Sequence, residues 1–405
     1  AEIFLGGFLE LEKDVFVGLD NNPYYPLFNT LRLEGRAGKG NVRGLLSIES
    51  RFYDFTEVGS TADLTSIEKL APVDFYVYEA YLSVTGFVFD NLDLKVGRQR
   101  IPWGTADRFN PTDNINPLDL SNPYKFGENL PTLGVLLNYY AGDWVISAVG
   151  IPGFTPSLLP SDTLIFQELP QGDIYTPQNI PENGSAGLKV STYLLNFDLS
   201  LSYLYRYDDL PALDSIGSLI DEKTYGFNRE HILGFDFSGE LFSAGIWGEF
   251  AYFMPDRYPL SIRESTIWGP IVIDTAYISE PYMKVTLGMD YTFPGEIYGN
   301  LQYVHGMDFE RDLMVGEGKE STLGDYMILS LERDFTDIDL KFSLNALGEM
   351  RNDLLAYGIL PEVVYSPYSN MELTMGYLYT GGDRQTFFGD MQDYSVAYMR
   401  FRFVF

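Results

Sequence analysis

Apolar side chains occupy every second position in segments that recur from one end of the chain to the other. In residues 197–207 every odd position is apolar or aromatic, whereas the even positions are polar except for Leu204. Residues 283–293 and 399–403 repeat this scheme. Because successive side chains of a β-strand point to opposite faces, the pattern predicts strands with one apolar face and one polar face.

Eighteen strands are predicted in this way. Many span about ten residues, the length that crosses a bilayer at a tilt of about 45°, whereas strands of soluble sandwiches usually span about five or six residues. Tyr and Trp gather at the strand ends, as at Tyr139, Trp144 and Tyr298, where the aromatic girdles of membrane barrels lie. The predicted strands are 2–12, 27–36, 42–53, 73–85, 91–99, 132–141, 144–151, 185–194, 196–207, 229–239, 242–254, 281–293, 296–306, 324–334, 338–348, 353–365, 370–380 and 394–405.

The links between these strands alternate between short and long. Gly142-Asp143 and Pro294-Gly295 are tight links made of turn-forming residues, whereas the link 101–130 is far longer. Outer-membrane barrels have short periplasmic turns and long external loops. The chain is therefore predicted to be all-β, a single transmembrane antiparallel up-and-down β-barrel over residues 1–405 with about 18 strands. A barrel of 16 strands is the nearest alternative.

Composition narrows the class of protein further. No run approaches the roughly 18 apolar residues that a spanning helix needs. The chain has no Cys, which excludes disulfides, thiolate metal sites and covalent haem attachment through Cys. The formal net charge of −30 argues against nucleic acid as a partner and favours cations near the molecule. The sequence begins Ala-Glu-Ile-Phe without a basic segment before an apolar one, so we expect that a secretory signal has been removed.

The polar faces of the strands are expected to line the lumen, because a charge near the bilayer midplane costs about 2–4 kcal/mol. Closure of the barrel brings the last strand beside the first, which predicts a basic sector in the lumen. This sector comprises Arg32, Arg36, Arg43, Arg51, Lys95, Arg400 and Arg402. In the alternative interpretation, the arginines only pair with Glu34, Glu49, Glu10 and Glu12.

The link 101–130 is the segment most suggestive of a functional site. It is rich in Pro, Asn and apolar residues, and a link of about thirty residues in a compact protein is uncommon unless it is functional or disordered. We expect it to fold into the barrel as a constriction loop, with a lid over the rim as the alternative. The residues expected to act there are Trp103, Asp107, Arg108, Asp113 and Asp119, the acidic ones facing the basic sector. The run Pro152–Asn183 is a second segment suited to either role.

The end of the chain resembles the signal by which the outer-membrane assembly machinery recognises its barrels. The residues that carry this likeness are Tyr398, Phe401, Phe403 and the terminal Phe405. With the alternation of short and long links, the whole chain resembles Gram-negative outer-membrane porins in architecture. The stretch from Val96-Gly97-Arg98-Gln99 to Trp103-Gly104, followed by Asn110-Pro111 and Asn116-Pro117, is similar to a little-characterised group of outer-membrane barrels, and it implies a fold more than a substrate.

A passive outer-membrane channel for ions or small solutes, preferring cations, is the function that these features favour, because about 16 to 18 strands leave a water-filled lumen unless something fills it. The chain is expected to be an integral protein of the bacterial outer membrane, in contact with lipid and with the barrel assembly machinery. The sequence leaves open whether it forms a homo-oligomer.

Two other functions are compatible with a barrel of this kind. The barrel could be a scaffold that sheathes a partner, such as a multihaem cytochrome in an electron conduit, or its long loops could serve surface adhesion. An enzyme is not expected, because the histidines, His231 and His305, lie near strand ends and no Gly-x-Ser-x-Gly motif is present. No cofactor and no metal site is predicted.

Overall fold

The computed structural model describes residues 2–16, 28–53, 56, 58–122, 125, 127–159, 172–217, 223–256, 258–266, 269–278, 280–311, 323–393 and 395–405. The chain divides into two compact units. The first unit contains Ala1–Val84, Met289–Gln302 and Tyr326–Phe405, and the second contains Thr85–Gly288 and Tyr303–Asp325. No helix in the described part of the chain is long and apolar enough to cross a membrane.

Strands dominate the secondary structure. In chain order they are β1 (Glu2–Phe16), β2 (Phe28–Lys39), β3 (Val42–Tyr53), β4 (Val73–Val84), β5 (Leu92–Gln99), β6 (Thr132–Ala141), β7 (Trp144–Ile151), β8 (Asp173–Ile174), β9 (Ser185–Leu194), β10 (Phe197–Tyr207), β11 (Ala212–Gly217), β12 (Lys223–Gly226), β13 (Arg229–Leu241), β14 (Ala244–Pro255), β15 (Tyr258–Thr266), β16 (Gly269–Ile278), β17 (Tyr282–Phe293), β18 (Ile297–His305), β19 (Asp325–Phe335), β20 (Leu340–Arg351), β21 (Leu354–Tyr368), β22 (Met371–Gly382) and β23 (Val396–Val404). Two short α-helices are α1 (Ile67–Leu70) and α2 (Phe387–Asp390), and single 3-10 turns cover Asp63–Thr65, Pro181–Asn183, Thr336–Ile338 and Met391–Asp393.

Eighteen of these strands form one antiparallel sheet. The last strand pairs with the first, from Phe8 opposite Val404 to Phe16 opposite Val396, so the sheet closes into a barrel. This confirms the predicted all-β up-and-down barrel and its count of 18. In the first unit the order is β20–β21–β22–β23–β1–β2–β3–β4, and in the second it is β5–β6–β7–β9–β10–β13–β14.

The apolar faces of the strands are exposed and the polar faces are buried, which is the reverse of the arrangement in a soluble protein. On β10, Leu201 is 63% exposed, whereas its neighbours Ser200 and Ser202 are 5% and 6% exposed. On β13, Leu233 is 44% exposed and Asp236 only 2%. Because large exposed apolar areas are rare in soluble monomers, this apolar face is the surface that meets lipid, and the buried polar face is the one turned away from it.

A second sheet of five strands was not predicted. Its order is β16–β15–β11–β12–β8, and all five strands fall in segments that the sequence pattern assigned to long links. Two of its pairings, β11 with β15 and β12 with β8, are parallel. The long links of the second unit are therefore folded in part, rather than being simple connections.

Candidate functional site

The link 101–130 is held at its base by one buried asparagine. The side-chain oxygen of Asn116 accepts a hydrogen bond from the backbone N–H of Ile101 at 2.7 Å. Its amide group donates to the carbonyl oxygens of Gln99 (3.1 Å) and Leu130 (2.9 Å). One side chain thus ties together the start, the middle and the end of the link. Positions 123, 124 and 126 lie outside the described residues.

A buried carboxylate on β14 anchors the middle of the link. Glu249 is 0% exposed and accepts hydrogen bonds from the backbone N–H groups of Thr105, Ala106 (2.7 Å) and Thr112 (3.0 Å). The hydroxyl of Thr112 adds a fourth at 2.9 Å. A buried carboxylate is costly unless it is hydrogen-bonded, and here the link supplies the donors. Link and strand therefore satisfy each other's polar groups.

Apolar contacts join the link to the same face of the strands. Ile101, Trp103 and Ile115 form a buried cluster with side chains from the strands of the second unit, among them Leu204, Ile232 and Phe253. A Cβ atom added at Gly187 would lie 2.8 Å from the Trp103 ring and 3.0 Å from Leu204, so the missing side chain leaves room for both. Leu204, the exception to the alternation in 197–207, is apolar because it packs under the link.

Charged side chains fill the space beside this apolar cluster. Arg206, 4% exposed, pairs with Asp209 at 3.1 Å and with Glu230 at 3.0 Å, and it donates to the carbonyl oxygen of Asn114 in the link at 3.0 Å. Arg311 pairs with Asp208 at 2.9 Å and with Asp209 at 3.3 Å. We call Arg206, Asp208, Asp209, Glu230, Lys284, Asp308 and Arg311 the charged cluster.

Lys284 and Asp209 extend the cluster to neighbouring segments. Lys284 donates from Nζ to the carbonyl oxygens of Met307 (2.7 Å) and Asp308 (3.1 Å). Asp209 accepts from the backbone N–H of Leu118 at 3.0 Å and from the hydroxyl of Ser157 at 2.6 Å. The cluster therefore connects the link 101–130 to segments 157–158 and 307–311.

The carboxyl groups of the links differ in pKa because their surroundings differ. Burial raises the pKa of Asp113 to about 7 and that of Asp308 to about 6. Burial would also raise the pKa of Asp209, but Arg206 and Arg311 hold that pKa at about 2. Asp209 is thus a permanent anion, whereas Asp113 and Asp308 exchange protons near neutral pH.

A small polar cavity lies among these groups. Its volume is about 10 Å³, which is close to the space that one water molecule needs. Asp113, Arg206, Lys284, Asp308 and Arg311 are among the residues that line it, and Nη2 of Arg206 has no hydrogen-bond partner among the residues that the structure describes. The cavity is too small for a solute larger than water.

One comparison with a solved structure shows a similar fold. OccAB1 of Acinetobacter baumannii matches with a TM-score of 0.57 at 10% identity, over 100% of this chain and 96% of that chain. The chain has the fold of an outer-membrane porin. A mutant of the Rh. blastica porin matches at 12% identity over 100% of both chains with a TM-score of 0.45. OmpT, an outer membrane protein of Vibrio cholerae, matches at 10% identity over 100% and 97% with a TM-score of 0.45.

No family model matches the chain, and no curated protein matches it. The porin fold suggests an outer-membrane location. Among the described residues of this porin fold, no group of three or more His, Asp or Glu side chains is arranged to hold a metal ion.

The five residues predicted to act in the link occupy different environments. Trp103 is 4% exposed and belongs to the apolar cluster, and half-buried Asp113 accepts from its backbone N–H at 3.3 Å. Asp107 and Arg108 are exposed. Asp119 is half-buried and accepts from the backbone N–H of Ser121 at 3.1 Å. Of these five residues, Asp107 and Arg108 are therefore the two whose charges are exposed to solvent.

The second predicted segment, Pro152–Asn183, joins the link in part. Leu158 forms a parallel bridge with Asp119 and donates its N–H to the carbonyl oxygen of Leu118 at 2.9 Å. Phe154 packs on Tyr207 and Phe227, with ring centroids 5.7 and 4.6 Å apart. Positions 160–171 lie outside the described residues.

The residues of the predicted basic sector are largely paired with carboxylates. Arg32 and Arg51 both bind Glu49 through Nε at 2.8 Å, and Arg36 pairs with Glu34 at 2.9 Å. Arg400 pairs with Glu12 at 2.8 Å and Arg402 with Glu10 at 3.6 Å. These are the ion pairs of the alternative interpretation. Arg43 is exposed and Lys95 is half-buried.

The residues of the predicted assembly signal lie on β23 and just after it. Tyr398 donates its hydroxyl to Glu362, and Phe401 lies opposite Leu11 in the pairing with β1. The rings of Phe403 and Phe405 stack with centroids 6.0 Å apart. Their recognition by an assembly machinery stays a prediction.

A second inserted segment, in the first unit, was missed by sequence reasoning. Glu349 on β20 is 0% exposed and accepts from the backbone N–H groups of Phe387 (3.0 Å) and Phe388 (2.8 Å). Phe388 and Met391 are 4% and 3% exposed. The segment that contains α2 is thus held as the link 101–130 is held, by a buried carboxylate that binds backbone N–H groups.

Proposed function

We propose that the protein is an integral outer-membrane channel for the passive diffusion of ions and small solutes, and that the link 101–130 is its constriction loop. The observation that carries this proposal is the fourfold hydrogen bonding of Glu249 to the link. Glu249 belongs to the polar face of β14, opposite the face that meets lipid. A segment fixed there narrows the lumen, because a barrel of this size would otherwise be open.

The side chains that remain on the surface of the link would meet the passing solute. Asp107 and Arg108 are exposed, whereas Asp113, Asp119 and Trp103 are engaged by neighbouring groups. A fixed anion and a fixed cation next to each other would orient a polar solute as it passes.

A preference for cations is part of the proposal. The formal net charge is −30, and acidic entrances raise the local concentration of cations. Arg400 binds Glu12, and Arg32 and Arg51 share the carboxylate of Glu49, so these two carboxylates offset part of the positive charge of the three arginines. Arg43, which is exposed, is a member of the basic sector that would oppose this preference.

Single-channel conductance in a planar bilayer, with the reversal potential measured under a KCl gradient, tests the proposal. We expect stable conductance steps and a cation-selective potential. Asp107→Asn should reduce the selectivity, because it removes an exposed charge from the link. Asp143→Asn is the matched control, since it removes the same charge from the exposed short turn between β6 and β7.

Three results would contradict the proposal. An anion-selective potential would remove the cation preference. Equal effects of the two substitutions would mean that the link is not where selectivity arises. A folded barrel without any conductance would mean a filled lumen, and a scaffold for a partner protein would then be the better explanation.

A further inference from the structure

A groove lies on the lipid-facing side of the second unit, near the ends of the strands that lead into long links. Its volume is about 390 Å³. The side chains that shape it come from β6, β7, β9, β10 and β13, and they include Val135, Gly150, Ala186, Tyr205 and Arg229. The groove is thus on the opposite face from the link 101–130.

The register of the strands explains why a groove forms at this point. Val135 lies opposite Gly150, Gly150 opposite Ala186, and Ala186 opposite Tyr205, so these residues make one row across four strands. The two middle residues are the smallest in the row, and the walls are Val135 and Tyr205. A Cβ atom added at Gly150 would meet nothing within 4 Å. Two positions from Ala186 along β9, outside this row, the next outward-facing residue is Leu188, which is 48% exposed.

Arg229 lies at the end of the groove that is nearest the long links. Its guanidinium carbon lies 4.4 Å from the ring centroid of Tyr205 and 4.3 Å from that of Tyr207. It donates to the carbonyl oxygens of Gly184 (2.9 Å) and Glu182 (2.6 Å). In the part of the chain that the structure describes, these partners of Arg229 are all neutral, so its positive charge is fixed in place but not cancelled.

We infer that this groove binds one acyl chain of a membrane lipid whose anionic phosphate headgroup pairs with Arg229. Hydrocarbon is the material that fills an apolar groove on a face that meets lipid, and an Arg near the end of a spanning strand lies at the depth of the headgroups. Guanidinium groups bind phosphate with paired hydrogen bonds. The inference needs only the membrane-facing barrel and does not depend on channel activity.

The negative charge of Glu182 opposes the pairing of Arg229 with phosphate, and this provides a test. The exposed side chain of Glu182 also borders the groove, and its carboxylate repels a phosphate. Removing this charge should strengthen lipid binding, whereas removing the charge of Arg229 should weaken it. Opposite effects from two neighbouring substitutions would separate a charge effect from a loss of structure.

The test measures lipid retained by the purified barrel. The protein is placed in nanodiscs of equal parts phosphatidylglycerol and phosphatidylcholine, released, and weighed by native mass spectrometry. We expect one retained lipid, with phosphatidylglycerol preferred. Arg229→Gln should abolish the preference and Glu182→Gln should increase it. Gly150→Leu should abolish retention of both lipids, whereas Ala148→Leu, at an outward position outside the groove, should leave it unchanged.

Several outcomes would overturn the inference. Equal retention of the two lipids by the unsubstituted protein would exclude a site for an anionic headgroup, and so would an unchanged preference in Arg229→Gln. Saturable binding of inorganic phosphate at Arg229 without any retained lipid would indicate a site for free phosphate. Conductance is measured on the same preparations. Because the groove lies on the face opposite the link 101–130, loss of lipid binding with normal conductance would count against the groove alone, and loss of conductance with normal lipid binding would count against the channel alone.

Discussion

Glu249 and Thr112 are 137 residues apart in sequence, yet the carboxylate of Glu249 accepts hydrogen bonds from both the backbone N–H (3.0 Å) and the hydroxyl (2.9 Å) of Thr112. This contact fixes the link 101–130 on the polar face of β14. Because the same carboxylate also binds the N–H groups of Thr105 and Ala106, its removal leaves these donors and the two buried donors of Thr112 without this acceptor.

Glu249→Ala should release the link from the strand. A buried donor left without a partner costs roughly 1–3 kcal/mol, so the link should open far more often. Hydrogen exchange at the amides of residues 105, 106 and 112 should become faster, and conductance steps should become larger and noisier. Glu240→Ala, at the exposed end of β13, is the control and should change neither. Unchanged exchange in Glu249→Ala would mean that other contacts hold the link.

Arg206→Met should destabilise the barrel strongly. The substitution keeps an unbranched side chain but removes the guanidinium, and it leaves Asp209 and Glu230 as buried acids without this partner. Breaking a buried ion pair from one side typically costs roughly 3–5 kcal/mol. Unfolding in denaturant, followed by tryptophan fluorescence, measures the loss.

The control for this substitution is Arg384→Met. Arg384 pairs with Asp393 at 2.8 Å, but the two side chains are 63% and 56% exposed, and exposed pairs contribute about 0–1 kcal/mol. Similar losses in Arg206→Met and Arg384→Met would show that the charged cluster does not support the link.

The attachment of the link 101–130 to the strands should become less stable as the pH rises from about 4 to 7. Burial raises the pKa of Asp113 to about 7, above the usual 3.8, so the folded state keeps a proton that the released state has lost. Stability therefore falls with rising pH across this window and is level above it. Asp308, with a pKa of about 6, adds to the same trend. The measurement is the protection of backbone amides in residues 105–118 from hydrogen exchange, relative to the intrinsic exchange rate at each pH. This protection should be lower at pH 8 than at pH 5.

Asp113→Asn should remove much of this pH dependence. The amide oxygen can still accept from the N–H of Trp103, as the carboxylate does at 3.3 Å, but the group no longer ionises. The link of the variant should be held more firmly than that of the unsubstituted protein at pH 8. A pH dependence of full size in Asp113→Asn would assign it to other groups, with Asp308 the next to substitute.

Leu204→Ala should destabilise the protein although Leu204 breaks the alternation of its strand. Its side chain is 3% exposed and packs in the cluster with Trp103, and truncation of a buried Leu costs about 2–5 kcal/mol. Leu201→Ala, on the opposite face and 63% exposed, is the matched control on the same strand. Equal losses would mean that the link adds nothing to the stability of β10.

The strands could be predicted closely because their determinants are local. The predicted strand 196–207 is Phe197–Tyr207 in the structure, and 281–293 is Tyr282–Phe293. The alternation of apolar residues and the tight turns both depend on residues that are adjacent in sequence. The prediction for the first strand ended at residue 12, but the strand runs to Phe16, since Lys13 is polar on the face of Leu9 and Leu11 and interrupts the alternation.

The five-stranded sheet and the anchor of the link could not be predicted in the same way. β11 pairs in parallel with β15, and such pairings between distant segments leave no local pattern. Glu249 resembles any other acid on the polar face of a strand. A signal was nevertheless present: Leu204, Ile232 and Phe253 are apolar on faces that should be polar, and the structure places all three in the cluster that receives the link.

The way in which Glu249 and Glu349 hold their segments has a consequence for evolution. Both carboxylates bind main-chain N–H groups, which every residue except proline carries. The attachment therefore does not depend on most side chains of the attached segments. A lineage could exchange the exposed residues at positions such as Asp107 and Arg108, and with them the solutes it admits, while the attachment of the link stays the same.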